Sequence, residues 1–300
     1  MVQVKLPSFF GSGKKRLKGR IVNKILSHFA LIVTTLFALF PIYFIFWTSI
    51  LKIQLAAITL SSLIPNLALI TLYNYNYVLS DPTFFTIYLK NSLIFGLSAA
   101  GVGLVLALFT GYALSRFSFP GRKPFIYFII ALMQFPGTML VIPYFFMFKE
   151  LNLINTYLGL IIPYSAGSIV FTGILVKNYI DSIPEDLEEA ALVDGETKTG
   201  AFTKVIIPLI KPILGLGILL AFIGPYTDFI LARAFITGNS LQTLALRLYS
   251  VSSISSSGGA AIDYGVFSAF SFLMGIPILI IYLIFQKYII GGLTLGGVKG

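Results

Sequence analysis

Seven of the eleven acidic residues fall within sixteen positions: Asp181, Glu185, Asp186, Glu188, Glu189, Asp194 and Glu196. The other four are scattered singly along the 300-residue chain. Carboxylates gathered in this way can form a solvated face or a charged surface that hydrogen-bonds to a partner. Catalytic chemistry finds little material elsewhere. There is no cysteine, which removes disulfides, thiolate metal sites and cysteine nucleophiles. The single histidine, His28, excludes a multi-histidine metal site. No HExxH or GxSxG motif occurs. FGSGKK at 10–15 fails the phosphate-loop pattern G-x4-G-K-[ST], because Ser8 stands at the first glycine and Lys15 at the hydroxyl position. It reads as part of a flexible basic tail at an anionic membrane surface. The chain is therefore expected to hydrolyse no ATP, hold no metal and catalyse no reaction with its own residues.

The elements that must position these acids are set by lipid. Hydrophobic residues make up 57% of the chain, charged residues 11%, and the mean hydropathy is +0.93. Soluble chains carry about 25% charged residues. Six stretches are long and apolar enough to cross roughly 30 Å of hydrocarbon: 25–51, 91–115, 124–148, 157–177, 209–233 and 264–287. Prolines at 41, 136, 143, 163, 225 and 277 interrupt them, and such breaks are tolerated where neighbouring helices satisfy the freed backbone. A packed bundle follows.

The net charge of +10 would suggest nucleic acid on a soluble chain, but its placement argues otherwise. With six spans and cytoplasmic termini, sixteen of the 21 lysines and arginines lie inside, leaving Lys52, Lys90, Lys149, Arg233 and Arg247 outside. Making 53–72 a seventh span would leave about 11 inside and 10 outside. The positive-inside rule selects six, with 53–72 interfacial or external and no nucleic acid as partner. The expected organisation is a basic cytoplasmic tail at 1–24 and one transmembrane domain at 25–300. The first apolar run, about 27 residues without an A-x-A site, reads as a retained anchor rather than a cleaved signal.

The acidic cluster then falls on the longest cytoplasmic loop, predicted as two short helices. Ser182 and Glu185 match a capping box with Pro184 in the first turn. Gly195 stands where a left-handed stop belongs, Thr199 could cap the second helix, and Pro208 would end it. Ile183, Leu187, Ala190 and Ala191 share one small, apolar face, with Glu185, Glu188 and Glu189 pointing largely away. A solvated connector and a docking helix both fit this spacing. In the second span, Ala99, Gly103, Ala107, Gly111 and Ser115 place a small residue at every fourth position. The ladder suits close packing within the chain or at a subunit interface. Polar groups in or beside spans are costly and often functional; they are Asn91, Gln134, Asn178, Asp228 and Arg233. Asp228, Tyr226, Ser165 and Ser168 are the candidates for a polar translocation lining.

At the acidic loop the sequence resembles the integral-membrane permeases of binding-protein-dependent ATP-binding-cassette (ABC) importers. Their loop reads E-A-A-x3-G-x9-I-x-L-P. Here Glu189, Ala190 and Ala191 are followed by three residues, Gly195, nine residues and Val205-Ile206-Ile207-Pro208. NSLIFG at 91–96, GYALSRFSFPGR at 111–122, IPEDLEEAALVDG at 183–195 and QKYIIGGLTLGGVKG at 286–300 look like the carbohydrate-class branch, the maltose-permease G-type subunit. Two departures stand out: Tyr226-Thr227-Asp228 replaces the branch's tryptophan-asparagine-glutamate cluster, and the external stretch 237–263 is longer and richer in serine and glycine.

The resemblance implies an all-α, six-span polytopic permease in the cell membrane, one half of an alternating-access pathway. Its partners would be a second homologous permease, two ATPase subunits that bind ATP and Mg, an extracytoplasmic solute-binding protein and membrane lipid. Glu188, Glu189, Ala190, Ala191, Asp194, Gly195 and Pro208 would form the ATPase-coupling element, and 237–263 would meet the binding protein. An ion-coupled carrier or channel, or an importer for a non-sugar solute, is the alternative.

Overall fold

Inside hydrocarbon each backbone polar group needs a partner, and helices supply one within the segment. The computed structural model describes residues 12–51, 67–257 and 263–295. Most of the 53–72 segment, the stretch 258–262 and the end of the C-terminal motif lie outside them. Among the described residues the fold is all-helical, with one isolated antiparallel bridge between Leu51 and Ile70.

The first helix, α1 (Ser12–Ser49), begins inside the expected flexible tail. The basic run 12–24 contains no proline to stop it and simply extends the membrane helix toward the N-terminus. A short helix, α2 (Tyr73–Leu79), leads through a π-helical turn (Phe84–Leu89) into α3 (Lys90–Arg116). The expected third span at 124–148 is broken. α4 (Arg122–Met133) and α5 (Val141–Glu150), the latter preceded by a 3-10 turn, meet at a 93° bend, where Pro136 is extended (ψ 124°). α6 (Tyr157–Ile180) follows as a single helix.

The acidic loop holds α7 (Asp186–Val193), α8 (Lys198–Ala201) and, after a π-helical turn, α9 (Ile207–Leu209). Pro208 therefore lies inside α9 and does not end the helical path. The chain turns by 73° only at Ile210, between Pro208 and Pro212, before α10 (Lys211–Thr227). The expected fifth span stops short of 233, because Asp228 is extended (ψ 131°) and a separate α11 (Ile230–Phe235) follows. α12 (Leu244–Ser257) follows, and then the long, membrane-spanning α13 (Tyr264–Leu295). Among the described residues four helices are long and apolar enough to cross a membrane, or six if each bent pair is one span.

α3, α6 and α10 form the centre. The small-residue ladder of α3 is buried throughout, with Ala99 and Ala107 fully enclosed, and it serves packing within the chain. A methyl group added at Gly103 would stand 2.6 Å from the Ser168 side chain, and one at Gly111 2.6 Å from Val176. The two helices touch nearly backbone to backbone. α10 completes the triangle, with Phe222 and Tyr226 fully buried against Phe270 and Met274 of α13. α1, in contrast, is exposed along most of its described length and is buried only at Trp47–Ser49. There Thr48 donates to Ser268 (2.8 Å), and Asn74 of α2 donates to the carbonyls of Ser49 and Leu51 (2.9 and 2.8 Å).

Overpacking a tight contact costs about 1–3 kcal/mol. Gly111→Leu is expected to lower the thermal midpoint of the detergent-purified protein. Gly101→Leu, on the same helix but facing open space, should leave it unchanged.

Candidate functional site

The acidic loop begins where α6 runs out. Asp181 accepts hydrogen bonds from Lys177 on its own helix and from Ser115 at the end of α3. Burial alone pushes its carboxyl up, but these two hydrogen bonds and the charges of Lys177 and Arg122 outweigh it and hold Asp181 below its ordinary value. Arg122 also donates to the carbonyls of Leu114 and Ser115 (2.8 and 2.9 Å). It thereby covers the orphan acceptors at the negative end of α3.

The capping box does not form. Ser182 donates instead to the carbonyl of Tyr179 (2.6 Å), one turn back, and α7 starts without a side-chain cap. Its three first-turn acids, Asp186, Glu188 and Glu189, supply the charge that a helix start favours. The far end of α7 is closed by two hydrogen bonds. The Glu196 amide donates to the Ala191 carbonyl (2.9 Å), and the Gly195 amide to that of Leu192 (3.1 Å). Gly195 has φ +92°, so this is a Schellman closure, and a side chain there would be strained. Thr197, rather than Thr199, caps α8 by accepting from the Gly200 amide (3.0 Å). Lys204 pairs with Glu196 across the turn.

The carboxylates of α7 divide in a way that the spacing did not foretell. Glu188 is turned onto the bundle and buried, bound by Arg116 and by the Tyr112 hydroxyl (2.9 Å), both on α3. Arg116 also donates to the Ile183 carbonyl (3.0 Å). The opposite face carries Glu189, Ala190 and Asp194, all exposed, with Leu187 at 44% and Val193 at 87% exposure. Ala191 is half-buried. The outward surface is thus small, apolar and edged with acid. Pro208 lies away from it, at the bend into α10.

Of the lining candidates the structure brings two together. Ser168 and Asp228 share a cleft of about 450 Å³ between α6 and α10, with Tyr164, Gly167, Thr172 and Gly224 on its walls. Asp228 accepts from the Tyr164 hydroxyl (2.8 Å) and the Ala232 amide (3.0 Å); it is not paired with Arg233. Tyr226 is fully buried and donates to the Met274 carbonyl (3.0 Å), so it braces α13 behind this surface. Ser165 is also buried behind the cleft, with its hydroxyl unpartnered.

Asn91 and Ser92 are structural. The amide of Asn91 donates to the carbonyls of Ser240 and Gln242 (2.9 and 3.1 Å), and Ser92 accepts from the Leu244 amide (2.9 Å). They fasten the stretch that leads into α12, whose helix takes in the serines at 250, 252, 253 and 255–257. Among the described residues no group of three or more histidines or acids could hold a metal ion. Arg116 and Tyr112 escaped the sequence reading. Their only signal was position, one turn apart at the cytoplasmic end of a span.

Residues 92–295 match the family described as "binding-protein-dependent transport system inner membrane component". The chain is 36% identical to the trehalose/maltose transport system permease protein MalG of Thermococcus litoralis, over 77% of this chain and 82% of that one. It is 34% identical to the sulfoquinovosyl glycerol transport system permease protein SmoH of Agrobacterium fabrum, over 77% and 79%. Among solved structures it is similar to a chain of a bacterial ABC transporter involved in import of the acidic polysaccharide alginate. That match has a TM-score of 0.71 at 29% identity and covers 94% of this chain and 99% of that one.

Because the native carboxyl of Asp181 is held low, its contribution to stability is present above the ordinary carboxylate value of about 3.9. It disappears as pH falls through the native value. The difference in thermal midpoint between the parent and Asp181→Asn should be largest near neutral pH and should close in acid.

Proposed function

We propose that this chain, which belongs to the family of binding-protein-dependent transport system inner membrane components, is the permease subunit of an ATP-driven importer for a sugar. The observation that carries the reading is the exposed face of α7. A helix rigidly closed by Gly195, with Ala190 and Glu189 outward and Glu188 anchored inward, has the form of a docking element. Ala190 and Ala191 permit close approach, Glu189 offers a charged hydrogen bond, and Asp194 and Gly195 fix the exit of the chain.

The chain works as one half of a pathway. A second, homologous permease supplies the other half, two ATPase subunits take the α7 face on each side, and an extracytoplasmic binding protein delivers solute. ATP and Mg belong to those ATPase subunits, and the permease itself is not an enzyme. Both termini face the cytoplasm, as the distribution of lysine and arginine favours. Closure of the ATPases moves α7 as a packed two-state element, and the bundle alternates between inward and outward access. Ser168 and Asp228 present polar groups to the solute in the α6–α10 cleft, with Ser165 and Tyr226 supporting that wall from behind. The sugar assignment rests on relatives named for trehalose/maltose, galactooligosaccharides and sulfoquinovosyl glycerol.

Uptake into membrane vesicles holding the complete system should require internal ATP and the binding protein. A pure dependence on an ion gradient would identify an ion-coupled carrier instead. Gly195→Pro and Glu189→Lys should each abolish uptake while leaving membrane insertion intact. Gly167→Trp, filling the cleft from a position with no close neighbour, should stop uptake without lowering the thermal midpoint.

A further inference from the structure

The cytoplasmic loop is joined covalently to α6 and α10, yet its buried carboxylate, Glu188, is bound to neither. Glu188 lies against the last two turns of α3. Its carboxylate takes Arg116 at one oxygen and the Tyr112 hydroxyl at the other. Arg116 reaches past it to the Ile183 carbonyl, just before α7 (3.0 Å). The Arg116 and Glu188 side chains are only 10% and 12% exposed, and Glu185 stands 3.9 Å from the same guanidinium at the solvent edge. Breaking a buried pair by removing one member leaves a charge without compensation. This grip therefore fixes where α7 can sit relative to α3. At its outer end, α3 holds the external stretch through Asn91 and Ser92. One straight helix thus connects the cytoplasmic element to the outer surface.

We propose that the Arg116–Glu188–Tyr112 clamp hands the displacement of α7 to α3, making Arg116 a positioning residue for energy coupling. The proposal rests on α7 being the ATPase-docking helix. It assigns Glu188 and Glu189 opposite tasks: Glu189 faces the partner, while Glu188 ties the moving helix to the bundle. In α3 the displacement passes to α6 along the small-residue face and to the outer surface through Asn91.

The chain has no cysteine, so once the partner subunits are made cysteine-free a single introduced thiol reports on the outer end without background. The test uses the whole complex with its ATPase subunits in proteoliposomes, carrying Ser240→Cys. A membrane-impermeant maleimide is the probe, compared without nucleotide and with Mg-ATP trapped by vanadate. With the clamp intact, nucleotide should change the labelling rate severalfold. Arg116→Glu and Glu188→Arg should each remove that response while ATP hydrolysis and co-purification of the subunits persist. The exchanged pair Arg116→Glu/Glu188→Arg should restore it, which a general loss of folding would not permit. Should either reversal prevent assembly, Tyr112→Phe and Arg116→Lys provide the test, with a reduced response at full hydrolysis expected.

A nucleotide response that survives the broken pair overturns the clamp, as does failure of the exchanged pair to recover it. No response in the parent complex would overturn the alternating-access reading on which the clamp depends.

Discussion

The approach of α3 to α6 sets the terms for everything else in this molecule. Lipid offers apolar side chains as good an environment as another helix does, so burial of leucine or phenylalanine gives little drive to association inside a membrane. Dispersion at short range must serve instead, and it requires that nothing stand between the backbones. Gly103 against Ser168 and Gly111 against Val176 meet that requirement. α10 joins the same seam, with Gly217 against Thr172. Once these three helices are fixed, the α6–α10 cleft, the α3–α6 junction under the loop and the outer platform at Asn91 follow from their geometry.

Charge is then allotted by depth. At the C-terminal ends of α3 and α6, Arg116, Arg122, Lys177, Asp181 and Glu188 satisfy one another and the last carbonyls of α3. At the opposite end of the bundle, Asp81 pairs with Arg247 (3.5 Å), whose guanidinium also lies over the Tyr88 ring. Burial raises the Asp81 carboxyl, but hydrogen bonds from the Thr83 side chain and amide, with Arg247, bring it below its ordinary value. Between these two layers Asp228 stands at a break in the helix, held by a tyrosine hydroxyl and a backbone amide. Asp81, Asp181, Glu188 and Asp228 each take at least two donors, as desolvation demands.

What could be read from the chain beforehand follows the range of the forces concerned. The apolar runs, the small-residue ladder and the stop at Gly195 are encoded locally, through hydropathy, spacing and a left-handed φ, and these were legible. The bend at Pro136 was not, because a proline alone does not distinguish a mild kink from a right-angled turn. Periodicity placed Glu188 with its acidic neighbours. Its inward rotation is decided by Arg116, 72 residues away, and no local pattern carries that. The capping box failed for a local reason: the Ser182 hydroxyl turns back to the Tyr179 carbonyl at the end of α6 and not to the turn ahead. Tyr226 and Asp228 are neighbours in sequence yet face α13 and the cleft respectively, because the helix ends between them.

α1 is fastened to the remainder of the described chain only at its outer end, through Thr48, Ser49 and Asn74. At 1.5 Å per residue, its 38 residues form a rod of nearly 60 Å, clamped like a cantilever at one tip. A pivot of about ten degrees at that tip sweeps the inner tip through roughly 10 Å by the same rise per residue. The tilt of this rod is accordingly a property of its surroundings: the thickness of the bilayer and whatever lies alongside determine it, while the hydrogen bonds at Ser49 fix only where it hinges.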